Sequence, residues 1–237
     1  MSLPSVRPLL LAVSNRHLFA SDDVSALAYL VEWSGRVARA GIDLLQIRER
    51  GLDDVVLVRV VRDVLAATRG TNCRVLVNDR LDVALAAGAA GVHLPATGLP
   101  PHRARQIAPE GFLIGRSVHA AHEARAVAAA GGADYLTFGT VFESASKAPG
   151  HPISGVRMLA DACASAGIPI LAIGGVTLDR VPALTRAGAV GLAGIRLFAT
   201  PPTGAGDRGL ANAIGAIRAA WSEPTGAGGW SISWERR

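Results

Sequence analysis

Eight short apolar runs typical of β-strands alternate along this chain with stretches of helical spacing, and no other feature limits the fold as strongly. The stretch after the second run illustrates that spacing. Its apolar residues are predicted to share one helix face: Val55, Val58, Val61, Val64 and Leu65. Strands that alternate with helices in this way form parallel sheets covered by helices on both faces.

Eight repeats in 237 residues favour a single parallel (β/α)8 TIM barrel of the α/β class over an open doubly wound sheet. Glycines in small-residue turns before several strands add support, since they suit the left-handed conformation that ends a helix. The predicted strands are Leu9–Asn15, Leu44–Arg50, Arg74–Asp79, Gly91–Pro95, Phe112–Val118, Tyr135–Phe142, Ile168–Gly175 and Val190–Phe198.

The barrel is expected to occupy residues 1–223, and residues 224–237 form a separate C-terminal tail. The tail is rich in Gly and Ser, carries Trp230 and Trp234, and lacks a helical period. The sequence leaves open whether it is disordered or lies over the barrel surface.

Composition argues against several classes of protein. No apolar run approaches the roughly 20 residues of a membrane span, and no export signal is visible, so a cytoplasmic location is expected. The formal charge is +5, but the arginines are scattered and no basic run is interleaved with aromatics, so nucleic acid is not an expected partner. Lys147 is the only lysine among 24 basic residues, which marks its position for attention.

Polar residues collect where the predicted strands end, which is where function resides in such barrels. Gln46, Arg48 and Arg50 alternate in the second strand and would share one face. Unpaired polar groups are costly to bury, so this set indicates either a binding site or a structural charge network with Glu49 facing outward.

Two further strand ends suggest chemistry. Gly174 and Gly175 follow the seventh strand, where backbone N–H groups can bind a phosphate, although a tight turn would also explain them. Replacing Gly175 with Val is expected to weaken phosphate binding with little loss of fold. His119 ends the fifth strand and is either a general acid/base or a structural histidine of the rim.

The sequence resembles the family of thiamine phosphate synthases and the related thiazole tautomerases over about residues 8–200. The motifs that carry the resemblance are Gln46–Arg50, Val77–Asp82, Gly91–Pro95, Ile114–His119, Gly139–Ser144 with Lys147, and Ala172–Val176.

The synthase joins a pyrimidine diphosphate to a thiazole phosphate, releases pyrophosphate and requires Mg²⁺. The resemblance implies one set of residues for the diphosphate and metal, with Asp79 as the metal ligand: Gln46, Arg48, Arg50, Asn78 and Asp79. It implies a second set for phosphate oxygens: Ser117, Ser144, Ser146, Lys147, Gly174 and Gly175.

Departures from the synthase pattern favour the tautomerase branch. Gly98 stands where the synthase has a second acidic metal ligand, Arg50 replaces its usual lysine, and Arg196 replaces a small residue. The tautomerase needs no metal; it removes a proton from a carboxylated thiazole ring carbon and returns one to an exocyclic carbon. The resemblance gives His119 that role.

The main expectation is therefore an isomerase, a thiazole tautomerase-like enzyme without a cofactor that binds a small phosphorylated thiazole. One alternative is a transferase, the Mg²⁺-dependent synthase. Another is a non-catalytic, regulatory barrel that binds phosphate ligands. The sequence leaves open whether the chain forms a homo-oligomer.

Overall fold

The computed structural model describes residues 3, 8–144, 148, 150–199 and 206–222. Ser146, Lys147 and the 224–237 tail lie outside the described residues. The strands are β1 (Leu9–Val13), β2 (Leu44–Ile47), β3 (Arg74–Asn78), β4 (Gly91–Leu94), β5 (Leu113–Val118), β6 (Tyr135–Phe138), β7 (Ile170–Ile173) and β8 (Gly191–Gly194). The helices are α1 (Asp23–Arg39), α2 (Asp54–Ala67), α3 (Leu81–Ala87), α4 (Pro101–Ile107), α5 (Ala121–Ala130), α6 (Gly155–Ala166), α7 (Val181–Arg186) and α8 (Gly206–Ser222). Short 3-10 turns span Arg16–Leu18 and Leu178–Arg180.

The strands form a closed parallel barrel in sequence order, and β1 pairs with β8 to complete it. Leu9 lies opposite Gly191 at this seam, where a Cβ on Gly191 would stand 1.9 Å from the Leu9 carbonyl oxygen. Only a glycine permits that approach. The predicted TIM barrel is confirmed.

The core has two layers because successive strand residues point to opposite faces. Leu9, Leu11 and Val13 of β1 face the barrel interior, where they join a cluster closed by residues such as Tyr135. Leu10 belongs to the larger cluster between the strands and the surrounding helices. The lower interior is thus apolar and packed, so a ligand has room only at the mouth.

Helix α2 buries most of the predicted face, with Val58 and Leu65 packed partly buried against the core, but Val55 is an exception. Leu57, Val60, Val61 and Val64 are buried, whereas Val55 is 83 % exposed. Val55 lies in the first turn of α2, and its apolar character alone misassigned this one position. None of the described helices is long and apolar enough to cross a membrane.

Several strands end earlier than predicted. β2 ends at Ile47, so Arg48 and Arg50 lie in the segment that follows it. β7 ends at Ile173, because Gly174 adopts φ +99°, which interrupts the extended conformation. Arg48, Arg50 and the Gly174–Gly175 pair therefore lie above the sheet, at the mouth, and not within the ladder.

Candidate active site

A polar layer closes the upper end of the barrel interior. Each of its residues lies two positions after an inward-facing residue, so strand alternation turns it inward as well. The register keeps these residues level, with Asn78 opposite His93 and Ser117 opposite Thr137. The layer consists of Gln46, Asn78, His93, Ser117 and Thr137.

His93 is the centre of a buried hydrogen-bond network. Its Nδ1 lies 3.0 Å from the Tyr135 hydroxyl and its Nε2 lies 2.9 Å from Ser117 Oγ. Thr137 Oγ1 also donates to Ser117 Oγ, at 3.3 Å. A Cβ on Gly115 would stand 2.5 Å from His93 Nδ1, so this glycine makes room for the network. Burial, with help from the charge of Arg116, lowers the pKa of His93 to about 3, so the ring is neutral at physiological pH.

A second cluster of polar side chains lies at and beyond the upper ends of β2 and β3. Gln46 Nε2 donates to Asn78 Oδ1 at 2.8 Å. Arg48 is half-buried and follows Gln46 into the mouth, with the more exposed Arg50 beyond it. Burial lowers the pKa of Arg48, and the neighbouring charge of Arg50 adds to that effect. Two adjacent guanidinium groups make this side of the mouth attractive to an anion.

Glu49 faces away from the mouth but is buried, not exposed to solvent. It accepts a 2.5 Å hydrogen bond from Ser14 Oγ and forms an ion pair with Arg16, with Nη1 3.4 Å from Oε2. Ser14 Oγ in turn accepts the backbone N–H of Arg48 at 2.8 Å. A structural charge network therefore exists on the outer face of this segment and holds Arg48 in position. The two interpretations from the sequence, a binding site and a structural network, are therefore compatible.

The Gly174–Gly175 turn is packed tightly against the segment after β6. Both residues have positive φ, +99° and +61°. A Cβ on Gly175 would stand 2.1 Å from the Glu143 carbonyl oxygen. Arg180 Nη1 donates to the Gly175 carbonyl at 2.6 Å, and its guanidinium lies over the Phe142 ring. The expectation that Gly175→Val leaves the fold intact is therefore wrong, because the new side chain meets backbone.

His119 stands at the exposed rim, and hydrogen bonds fix it on several sides. Its backbone N–H donates to Glu123 Oε2 at 2.7 Å, and its carbonyl accepts from Ser154 Oγ at 3.1 Å. Its ring Nδ1 is hydrogen-bonded to the Gly139 carbonyl. A carbonyl can only accept, so Nδ1 carries the proton and Nε2 holds the free lone pair of the neutral ring.

These groups surround one cavity of about 540 Å³ at the carboxyl ends of the strands. Predicted residues that line it are Gln46, Arg48, Arg50, Asn78, Ser117, His119, Ser144, Gly174 and Gly175. Ser146 and Lys147 lie outside the described residues, and Asp79 does not line the cavity. The structure thus brings nine sequence-predicted residues together, while their roles stay proposals.

The cavity also contains residues that sequence reasoning did not assign to the site. His93 and Thr137 form part of its floor, and Arg180 forms part of its wall. Arg196, which the sequence marked only as a departure from the synthase pattern, also lines it. His93 lies within β4, and the sequence signal that could have found it is that it faces inward at the same level as Asn78. Arg180 follows β7 in a turn, and nothing in its sequence context pointed to the mouth.

The described residues near Asp79 do not by themselves form a Mg²⁺ site. Asp79 is exposed and adopts φ +65°, and a Cβ on Gly98 would stand 2.9 Å from its Oδ1. A carboxylate side chain at position 98 would therefore lie beside Asp79, but Gly98 has no side chain. Elsewhere in the described residues, no three His, Cys, Asp or Glu side chains are grouped to hold a metal. Mg²⁺ in proteins is commonly held by one or two carboxylates together with substrate phosphates and water, so Asp79 supplies only one of its octahedral ligands.

Comparisons with known proteins identify similar chains. A family model described as thiamine monophosphate synthase matches residues 13–198. A protein of Aquifex aeolicus (strain VF5) named putative thiamine-phosphate synthase 2 is 31% identical over 191 residues, covering 81% of this chain and 97% of that protein. The thiamine-phosphate synthase of Methanoregula boonei is 40% identical over 162 residues, covering 68% and 74%.

A solved structure agrees with this. Thiamine phosphate pyrophosphorylase from Pyrococcus furiosus superposes with a TM-score of 0.74 at 27% sequence identity, covering 91% of this chain and 96% of that one. None of these three proteins carries the name tautomerase. Their names therefore favour the synthase, which the sequence analysis gave as an alternative, over the tautomerase that it gave as the main prediction.

Proposed function

The chain belongs to the thiamine monophosphate synthase family and is an enzyme of thiamine biosynthesis; from that premise we propose that it moves a proton on a carboxylated thiazole phosphate without a metal ion. The observation that carries this proposal is Gly98 beside Asp79. Condensation with a diphosphate calls for a divalent cation to manage the leaving group, and the described residues do not form a site for one. Proton transfer on a ring carbon makes no such demand.

His119 is the proposed acid/base. Its Nε2 is unprotonated in the neutral ring because Nδ1 is committed to the Gly139 carbonyl. Nε2 would take the proton from the carboxylated ring carbon, and the resulting imidazolium would return one proton to the exocyclic carbon. The protons balance over the cycle, and the ring becomes aromatic.

Two anion-attracting regions would orient such a substrate. Arg48 and Arg50 stand above β2, and the Gly174–Gly175 turn stands above β7, separated from them by β8 and β1. Hydrogen bonds occupy the carbonyls of both glycines, so their N–H groups are the part of the turn suited to a phosphate. The guanidinium pair suits the substrate carboxylate.

The second candidate is the synthase itself, which the names of the relatives favour. The retained set of Gln46, Arg48, Asn78 and Asp79 is also what the family implies for a diphosphate. In that case Mg²⁺ would depend mainly on substrate phosphates and water, with Asp79 as the one carboxylate.

One pair of assays separates the candidates. In the first, the non-aromatic carboxythiazole phosphate is supplied with EDTA and its aromatisation is followed by absorbance. In the second, pyrimidine diphosphate, thiazole phosphate and Mg²⁺ are supplied and thiamine phosphate is measured. We expect turnover in the first assay, undiminished by EDTA, and none in the second.

Mg²⁺-dependent thiamine phosphate formation would instead establish the synthase. Binding of the thiazole phosphate with turnover in neither assay would establish the non-catalytic barrel. His119→Asn is the matched control, because it keeps a polar side chain of similar size while removing the acid/base.

A further inference from the structure

Arg116 holds the loop that follows β4. It lies on β5 opposite Leu94, and its guanidinium reaches over the end of that strand. Nη2 donates to the Ala96 carbonyl at 2.6 Å, and Nη1 donates to the carbonyls of Gly98 and Leu99 at 3.1 and 2.9 Å. Three backbone oxygens of one loop thus converge on a single cation.

The same loop faces Asp79. Gly98 lies between the two charged groups, since its carbonyl accepts from Arg116 and its Cβ position would stand 2.9 Å from Asp79 Oδ1. Burial lowers the pKa of Arg116, and the negative charges of Asp79 and Glu123 oppose that effect. Arg116 and Asp79 therefore act on each other electrostatically across the loop.

The position of Arg116 is energetically demanding. Its Nε–H is buried and has no hydrogen-bond partner among the described residues. A buried donor without a partner disfavours the folded state, so the carbonyl contacts must outweigh it. The guanidinium is held by three carbonyls of the loop, and its Nε–H is shielded from solvent.

We propose that the guanidinium of Arg116 takes the place of a divalent cation beside Asp79. Carbonyl oxygens are ligands that hard cations accept, and here three of them surround a guanidinium that also feels the charge of Asp79. This charge is permanent and needs no bound ion. It also repels a metal ion approaching Asp79, which would weaken binding roughly tenfold or more.

This inference rests on the proposed function but is tested without its substrate. Mn²⁺ is titrated into the ligand-free protein, and the loss of the free-ion EPR signal measures binding. The wild type is expected to show no saturable site tighter than about 1 mM, the weak end for oxygen-ligand sites. Arg116→Gln removes the charge, and Mn²⁺ affinity should rise at least about tenfold. Adding Asp79→Asn to that variant should abolish the gain.

Two variants act as controls. Arg116→Lys keeps the charge, so Mn²⁺ affinity should stay at the wild-type level even if the loop loosens. Arg103→Gln makes the same charge change on the exposed face of α4 and should have no effect. Circular dichroism checks that each variant folds.

Two results would overturn the proposal: saturable Mn²⁺ binding to the wild type that Asp79→Asn abolishes, or a folded Arg116→Gln variant that binds Mn²⁺ no better than Arg103→Gln. If Arg116→Gln does not fold, the wild type compared with Asp79→Asn decides the question alone. No thiazole is present in these titrations, so failure of the tautomerase assay does not change their result. A failed titration likewise does not change the result of the tautomerase assay.

Discussion

At the scale of single residues, one hydrogen bond determines what the His119 ring can do. With Nδ1 donating to Gly139, the ring presents Nε2, and the contacts of its backbone with Glu123 and Ser154 hold it at the rim. Ring orientation and tautomer are therefore set before a substrate arrives, which is the arrangement a proton-transfer residue needs.

Removing the His119 imidazole should slow turnover far more than it weakens binding. His119→Ala should lower kcat by about 10²–10⁴-fold, the range for a lost general acid/base. KM for the thiazole phosphate should change little, because the proposed anion contacts lie in the segments after β2 and β7. His119→Asn should be nearly as slow, since an amide cannot shuttle a proton. An Asn variant with the wild-type rate of aromatisation would make His119 structural.

His93 predicts a dependence of stability on pH. Burial lowers its folded-state pKa to about 3, whereas an unfolded chain has a histidine pKa of about 6.5. Below pH 6.5 this histidine becomes protonated in the unfolded chain, whereas in the folded protein it stays neutral until near pH 3. The free energy of unfolding should therefore be undiminished above pH 6.5 and should fall as the pH drops below 6.5, by up to about 1.4 kcal/mol per pH unit.

Urea unfolding of wild type and His93→Asn between pH 7 and about pH 4 measures this contribution. The variant starts from a lower stability but should lose less of it on acidification. His122→Asn changes an exposed histidine on α5 and should follow the wild-type slope. Parallel curves for wild type and His93→Asn would contradict the prediction.

At the scale of elements, the turn after β7 and the segment after β6 form one unit. Val141 N–H donates to the Ile173 carbonyl and Phe142 N–H to the Gly174 carbonyl, at 3.0 Å each. The two segments therefore extend the pairing of β6 and β7 above the barrel rim. Any change in one displaces the other, including the wall of the cavity that contains Ser144.

A side chain at Gly175 should destabilise the fold as well as the site. In Gly175→Ala the new Cβ meets the Glu143 carbonyl, and the residue must also hold φ +61°. Gly167→Ala is the matched control, because Gly167 has φ +72° with open space around it. The control should lose about 1 kcal/mol and Gly175→Ala about 1–3 kcal/mol more. If urea unfolding gave the two variants equal losses of unfolding free energy, the segments after β6 and β7 would be able to separate without destabilising the fold.

At the scale of the whole molecule, barrel closure assembles the cavity. Arg48 and Gly174 are far apart in sequence, yet only β8 and β1 separate their strands. The apolar lower interior excludes a ligand from the barrel, and the polar layer above it forms the cavity floor. Position along each strand thus decides whether an inward residue supports the core or the site.

The sequence by itself determined the topology and the end of the barrel that carries the site. Eight strand and helix repeats allow few parallel arrangements, and parallel strands all end at the same rim. It also marked Gln46 and His119, because polar residues in or after strands are conspicuous in an apolar background, while the family resemblance added Asn78 and Ser117.

Only the tertiary structure decided which of these residues act on one another. Arg116 meets the loop after β4, His93 meets Tyr135 and Ser117, and Gly175 meets Glu143, in each case through strand register and loop path. Periodicity in a sequence fixes which face a side chain takes. Its hydrogen-bond partners depend on which strands become neighbours and at what height, and that is set when the barrel closes.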